Sequence, residues 1–420
     1  MACAEASVSA LLFVTTARHD EEVKLFSFSR AVLFMAATLV FSSNGFAQDV
    51  PAKSESGPPT VVPNVTMRPS PKPPEVHPDG SVTFTFVAPG VQEVKLQLEA
   101  MADPVAMLPQ AAGVWTYTTA PLKPESYSYH YIADGYDLHD PANPEITSNL
   151  LEVDNLLLVP GSAAGLPPQP WERTDVPHGV VARRFYHSGV IGDDRDYFVY
   201  TPPGYDPRGK RKYPVLYLLH GYSDRADGWT AVGRANFILD NLLAAGKIEP
   251  MIVVMPLGYG DPGILHSDGS AWRKPEVIAR NYDLFTQALL TEVMPQVERD
   301  YLAKTGAKST AIAGLSMGGA ESLYTGLGHP DKFGYVVALS AAPVGFDHPA
   351  QPLQWKAARE LLWLACGEQD SKVGQANRVL DAYLKAQGID AKFHWVPGAH
   401  TWLVWRANLI EFAPLLFRGK

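Results

Sequence analysis

The segment Ser309–Glu321, STAIAGLSMGGAE, decides the fold. Its apolar run Ala311-Ile312-Ala313 leads into Gly314-Leu315-Ser316-Met317-Gly318-Gly319, and Ala320–Leu323 reads as helix, so a serine stands at a strand-to-helix turn. A G-x-S-x-G pattern in that setting is what a nucleophile elbow needs. The sharp turn lifts the serine hydroxyl out of the sheet, while glycines at 314 and 318 leave room for the turn and for close helix packing. The same pattern also occurs as an ordinary tight turn, so its meaning rests on the rest of the chain.

Outward from the elbow, apolar runs alternate with amphipathic stretches. Val215–His220 (VLYLLH), Met251–Pro256 (MIVVMP), Ala311–Gly314, Val336–Ser340, Leu361–Ala365 and Ala391–Val396 read as strands. Apolar runs without polar alternation belong to strands covered on both faces, as in a parallel sheet. Between them, Phe237–Ala245, Leu284–Tyr301 and Asn377–Gln387 read as helices, the second with Leu289, Val293 and Val297 on one face and the third closed by Gly388. Strand and helix in alternation predict an α/β domain with a mostly parallel sheet over 179–420.

An elbow on such a sheet calls for an acid and then a histidine downstream of the serine. Gly367-Glu368-Gln369-Asp370 follows a strand at its C-terminal end, where ligand-facing loops emerge, and Pro397-Gly398-Ala399-His400 follows the last strand. Ser316, Asp370 and His400 therefore stand in the required order, with His400 as general base and Asp370 fixing its tautomer. Glu368 is the alternative acid, and Asp370 also reads as a cap for the following turn. Among the other histidines, His394 lies inside a strand, His329 sits in a His-Pro turn, and His220 and His266 lie upstream of the serine. His220 belongs to Leu218-Leu219-His220-Gly221-Tyr222, which ends an early strand. There the backbone N–H groups of Tyr222 and Met317 are the candidate oxyanion donors, and His220 has a supporting role. Asp261–Arg273 reads as a loop forming one wall of a cleft, and Trp272 and Trp402 are candidates to stack on a sugar or an aromatic acyl group, with a core role as the alternative. None of these roles needs a metal or a cofactor.

Together, YFVYTPPGYDPRGKRKYPVLYLLHGYSDRADGW, NLLAAGKIEPMIVVMPLG, GLSMGG, CGEQD and PGAHTWLVWRANL resemble the esterase-D-like α/β-hydrolases, which include feruloyl and acetylxylan esterases. The resemblance covers about Gly179–Phe417. It implies a Ser316, Asp370, His400 triad, oxyanion donation at Tyr222 and Met317, and carboxylic esters attached to plant polysaccharide as substrates. In this chain Tyr222 and the following SDRAD replace a loop that is commonly glycine-rich, and Ala399 stands where a second glycine is frequent. Siderophore esterases and mycolyl transferases are relatives with other acyl acceptors or donors. A glucan-binding protein that uses the hydrolase domain as scaffold is the non-enzymatic alternative.

Toward the N-terminus the period changes to two. Val82, Phe84 and Phe86 alternate with polar neighbours, as do Tyr127, Tyr129 and Tyr131, and Val94–Leu98 and Val114–Thr119 lie between turn signals. This predicts a small β-sandwich over 79–160. HPDGSVTFTFVAPGVQEVKLQLE, GVWTYTTAPLKPESYSYHYIADG and DPANPE resemble the immunoglobulin-like domain at the front of glycogen-branching enzymes and some bacterial esterases. In some relatives that domain contacts polysaccharide, for which Trp115, Tyr117, Tyr127, Tyr129 and Tyr131 are candidates by residue type; strand aromatics are more often core, and a structural docking or lid role for the domain is the expectation. Proline-rich 48–78 and GSAAGLPPQP at the start of 161–178 read as linkers. Residues 1–47 read as leader and signal peptide: Lys24 and Arg30 precede the apolar Ala31–Phe41, and Gly45-Phe46-Ala47 offers a cleavage site, so a periplasmic or secreted protein without a membrane anchor is expected. A membrane anchor is the alternative.

Across 420 residues, 46% are hydrophobic and 19% charged, as in ordinary soluble domains. A net charge of -9 argues against nucleic acid as partner, since phosphate neutralisation needs a basic surface. Only Cys3 and Cys366 are present, so one thiol and no internal disulfide are expected after leader removal. The partner expected is a small-molecule or oligosaccharide ester.

Overall fold

The computed structural model describes residues 70–265, 270, 274–341 and 360–418. The leader at 1–47, most of the 48–78 stretch, His266 and Trp272 lie outside them.

The eight-stranded sheet consists of β1 (Val180–Ser188), β2 (Asp193–Thr201), β3 (Val215–Leu219), β4 (Ile252–Pro256), β5 (Thr310–Leu315), β6 (Tyr335–Leu339), β7 (Leu361–Gly367) and β8 (Lys392–Val396). Their order across the sheet is β1-β2-β4-β3-β5-β6-β7-β8; β1, β2 and β4 pair antiparallel and the rest are parallel. Every residue of β3 through β7 is buried, which is why these strands carry no polar alternation. One core cluster lies on each face of the sheet. The first joins Leu216, Leu218, Val253 and Leu315 to helices α1 (Ala235–Ala244) and α5 (Trp402–Phe412). The second joins Tyr217, Val254 and Ile312 to α2 (Pro275–Ala288), α3 (Met317–Gly328) and α4 (Gly374–Ala386). The stretch expected as one helix over Leu284–Tyr301 is α2 followed by a π turn at Leu289–Val293 and a further turn of helix at Met294–Asp300. Leu289, Val293 and Val297 are buried across that junction.

The N-terminal strands form two sheets. One pairs Lys72–Val76, Val82–Val87, Val114–Thr118 and the short Leu108–Pro109; the other pairs Val94–Leu98 and Glu125–Ala133 with Val105–Ala106, Tyr136–Leu138 and Asn155–Val159. Residues from both sheets share one core, so this is a β-sandwich. One expectation changes here, and the core reading of the strand aromatics holds. Lys72–Val76 is a strand inside the stretch read as linker, so the sandwich starts before 79. Trp115, Tyr127, Tyr129 and Tyr131 are 8%, 5%, 1% and 0% exposed, and Tyr117 is half-buried, so they do not form an exposed sugar platform. On a strand of period two, Tyr127, Tyr129 and Tyr131 share one face, and that face is the core.

The sandwich packs on the hydrolase domain. Leu403 of α5 packs against the sandwich core, and the fully buried Arg406 of α5 pairs with Glu125 of the sandwich and donates through Nη2 to Val232 O (3.0 Å). In the connecting 161–178 stretch, the buried Glu172 accepts from Gly161 N and Gln169 N at 2.8 and 2.7 Å. Arg234 Nε donates to Trp171 O at 2.7 Å and Asn241 Nδ2 to Pro170 O and Glu172 O at 2.8 Å, so the stretch is fixed against the hydrolase domain along part of its length.

Candidate active site

Ser316 sits between β5 and α3 with φ 50° and ψ -113°, the strained conformation its position at the elbow requires. Its N–H donates to Leu339 O at 2.8 Å, which ties the turn to β6. The flanking glycines are needed sterically: a Cβ at Gly314 would lie 2.3 Å from Gly318 O, and one at Gly318 would lie 2.3 Å from His220 O.

Three segments far apart in sequence converge on this serine. His400 Nε2 is 3.0 Å from Ser316 Oγ, and His400 Nδ1 is 2.8 Å from Asp370 Oδ2. A carboxylate accepts, so Nδ1–H donates to Asp370 and Nε2 is left to receive the serine proton. Asp370 follows β7 and its Oδ1 accepts from Lys372 N and Val373 N, both at 3.0 Å. The acid is thus also the cap of its own turn, and the two readings of Asp370 describe one geometry. Burial would raise its pKa, but the hydrogen bonds from His400 and the Val373 amide outweigh that and hold it at about 2. Glu368 is exposed. Cys366 lies beneath, fully buried, with Sγ 3.7 Å from Asp370 Oδ2; burial first, and then the Asp370 charge, push its thiol up to about 12. It stays a thiol and can donate to the carboxylate.

The loop after β3 lies against the elbow. A Cβ on Gly221 would sit 3.5 Å from Ser316 Cβ, and Tyr222 lines the same cleft as Ser316 and His400. Met317 N is the first amide of α3, one of the helix-start N–H groups without an intrahelical acceptor. His220 spans two loops: Nδ1–H donates to Gly221 O at 2.8 Å and Nε2 accepts from Gly258 N at 2.9 Å. Complete burial lowers its pKa to about 4, so it is a neutral brace. His394 is exposed and stacks on Trp363.

A cleft of about 820 Å³ opens over Ser316. One wall carries Leu315, Val232, Trp402 and Trp405. Trp402 is half-buried and packs edge-to-face on Trp229 and Trp405, which fixes its ring. The sandwich also lines the cleft, in keeping with a docking role, through residues the sequence did not single out: Gln97, Glu99, Ser128, His130, Asn149 and Asp154. Burial pushes the Glu99 carboxyl up to about 7, against the Ser128 amide and Arg406. From the Asp261–Arg273 loop, Asp261 caps a short turn through Gly263 N, and Ile264 is buried.

Among the described residues no group of His, Cys, Asp or Glu is placed to hold a metal ion, and no helix is long and apolar enough to cross a membrane.

A family model described as "Putative esterase" matches residues 188–416. The endo-1,4-beta-xylanase/feruloyl esterase of Xylanibacter ruminicola is 31% identical over 363 residues, which is 85% of this chain and 47% of that protein. The chain therefore spans about half the length of that relative. Among solved structures, the ferulic acid esterase of Anaeromyces mucronatus matches with TM-score 0.52 and 30% identity over 60% of this chain and 96% of that one. The enterobactin esterase of Shigella flexneri matches with TM-score 0.59 and 20% identity over 80% and 94%, a likeness of fold.

Proposed function

From the premise that this chain belongs to the esterase family and is a carboxylic ester hydrolase, we propose that Ser316 is its nucleophile and that it removes feruloyl or acetyl groups from plant cell-wall polysaccharide. The observation that carries the catalytic assignment is the hydrogen-bonded line Ser316 Oγ, His400, Asp370, whose first two members line the cleft. In the proposed reaction Ser316 Oγ attacks the ester carbonyl carbon while its proton passes to His400 Nε2. The carbonyl oxygen becomes an oxyanion facing the N–H groups of Met317 and Tyr222. Collapse expels the alcohol, which takes the proton from His400, and leaves an acyl-serine. Water then attacks, giving its proton to His400, and the carboxylic acid departs as Ser316 regains its own. Asp370, held ionised at about 2, stabilises the imidazolium in both halves.

Two features support the substrate class. The Trp402 and Trp405 wall suits an aromatic or small acyl group, and the polar sandwich residues suit the hydroxyl-rich alcohol side, which supports polysaccharide contact through the N-terminal domain as part of the same reading. The relatives named as feruloyl and ferulic acid esterases agree with that choice. The leader read in 1–47 adds a periplasmic or secreted location, tested by the N-terminal sequence of the exported protein.

The test is an ester panel of feruloyl, acetyl and catechol-siderophore lactone substrates, with Ser316→Ala alongside. Release of ferulate or acetate, abolished in a folded Ser316→Ala protein, is expected. Undiminished turnover in that variant would refute the nucleophile, and turnover of the lactone alone would replace the substrate class.

A further inference from the structure

The oxyanion loop is not held by its own domain alone. Ser223, next to Tyr222, has φ 68°, in the left-handed region that a serine occupies only when its surroundings impose it. Several of the bonds that hold this loop come from the sandwich, from the loop between Tyr136–Leu138 and Asn155–Val159. Asn149 and Asp224 form an antiparallel bridge. Leu150 N donates to Ser223 O at 2.7 Å and Arg225 N donates to Ser148 O at 3.2 Å, one on each side of that bridge. Asn149 Nδ2 donates to Ser223 Oγ at 2.9 Å and to Asp224 Oδ1 at 3.2 Å, and Ser148 Oγ donates to Asp227. The Asn149 side chain is itself immobilised, because its Oδ1 accepts from Leu151 N and Glu152 N, both at 2.9 Å. From the other side, Tyr259 Oη–H donates to Asp224 O at 2.6 Å.

Resting on the Ser316 reading above, we propose that Asn149 is a positioning residue for the reaction: through it the sandwich holds Tyr222–Asp224 in the conformation that aims the Tyr222 N–H at the oxyanion. Asn149 does not touch the reacting atoms. It acts on a loop whose geometry matters most when charge develops on the carbonyl oxygen, so its loss falls on kcat. This also gives a reason for the SDRAD sequence: Ser223, Asp224, Arg225 and Asp227 are the residues that meet the sandwich.

The experiment uses the full chain and 4-nitrophenyl acetate, an ester with no sugar to contact the sandwich residues. Asn149→Ala is expected to lower kcat at least tenfold with KM within twofold. A merely structural residue would not give that split. The conservative control is Val82→Ala in the sandwich core, which is expected to lower Tm while leaving kcat of the folded protein unchanged. Ser223→Gly tests the cause, since glycine accepts φ 68° without strain: in that background Asn149→Ala is expected to cost less than threefold. Ser148→Ala, which removes a neighbouring bond, lowers kcat in the same direction and serves if Asn149→Ala does not fold. A folded Asn149→Ala enzyme with kcat within twofold of wild type, or a loss confined to KM for sugar esters, overturns the proposal while leaving the Ser316 reading intact. A wild-type protein silent on every ester overturns both.

Discussion

Replacing Asp370 by Asn separates the triad acid from its rival and has a cost that follows from the hydrogen bonds. Asp370 Oδ1 accepts two backbone N–H groups, from Lys372 and Val373, and Oδ2 accepts from His400 Nδ1 and Cys366 Sγ. An asparagine has one oxygen and one NH2 to distribute between those sides. Turning the NH2 toward Lys372 and Val373 would set donors against two part-buried donors, at a cost of up to about 1–3 kcal/mol for each group left unsatisfied. The amide oxygen therefore stays on that side and the NH2 faces His400. His400 must then accept at Nδ1 and carry its proton on Nε2, facing Ser316 Oγ, where it is unable to act as base. The expected loss in kcat is about 10⁴-fold, or about 5.5 kcal/mol, the scale of a wrong-tautomer triad. The exposed Glu368 makes no such bonds to His400, so Glu368→Gln is expected to change kcat less than twofold. The assay is steady-state hydrolysis of a chromogenic acetyl or feruloyl ester, with circular dichroism to establish the fold. A loss below tenfold for Asp370→Asn, or a comparable loss for Glu368→Gln, would refute the tautomer argument.

Two other predictions concern stability. Glu321 on α3 is fully buried; its Oε1 accepts from Asn281 Nδ2 at 2.8 Å, Oε2 has no partner, and burial raises its pKa well above 4.5. A raised folded pKa means stability present below the unfolded value and lost as pH rises through the folded one, so Glu321→Gln is expected to gain at least about 1 kcal/mol over wild type at pH 8 relative to pH 4.5; urea unfolding with equal pH slopes in both proteins would count against it. Arg406→Met removes the partner of Glu125 and a bond to Val232 O, and is expected to cost about 3–5 kcal/mol, most of it recovered by the pair Arg406→Met with Glu125→Leu; a single-variant cost below about 1 kcal/mol in chemical denaturation would show that the ion pair does not join the domains.

The elbow and the parallel strands were legible because each is a local demand, and the order Ser316, Asp370, His400 because an elbow on such a sheet calls for an acid and then a histidine on later strand ends. Gly314 and Gly318 stand where a Cβ would meet backbone, and β3 to β7 are apolar because both of their faces are covered. The sandwich strands were legible for the same reason, but their faces were not. Period two says that Tyr127, Tyr129 and Tyr131 share a side; it does not say that the polar partners Ser128 and His130 face the cleft. Lys72–Val76 was missed because Pro73 and Pro74 read as linker, and prolines are compatible with this edge strand, which among the described residues pairs only with Val82–Val87. What no local pattern carries is pairing at long range. Asn149 meets Ser223 and Asp224 across 74 and 75 residues, and Arg406 meets Glu125 across 281. The usable clue was the departure of Tyr222-Ser223-Asp224-Arg225-Ala226-Asp227 from a glycine-rich loop, since non-glycine residues in a tight loop need outside support.

On the proposed reading, that support is how the two domains joined by 161–178 form one site. A backbone amide stabilises a developing oxyanion only if it is already aimed before the charge appears, because reorientation during the reaction would cancel the gain. On the Met317 side the aim is built into α3 and the fixed turn at Ser316, whose N–H is tied to Leu339 O. On the Tyr222 side the next residue is a serine at φ 68°, a conformation its own sequence does not favour. The missing constraint comes from Ser148, Asn149 and Leu150 on one side and from Tyr259 on the other. Meanwhile Arg406 and Leu403 attach the same sandwich to α5, the helix that begins two residues after His400. The hydrolase sheet supplies the reacting atoms. On the proposed reading, the sandwich holds both the loop that carries Tyr222 and the helix that follows His400, so the groups that serve the carbonyl oxygen and the serine proton are braced by the same domain.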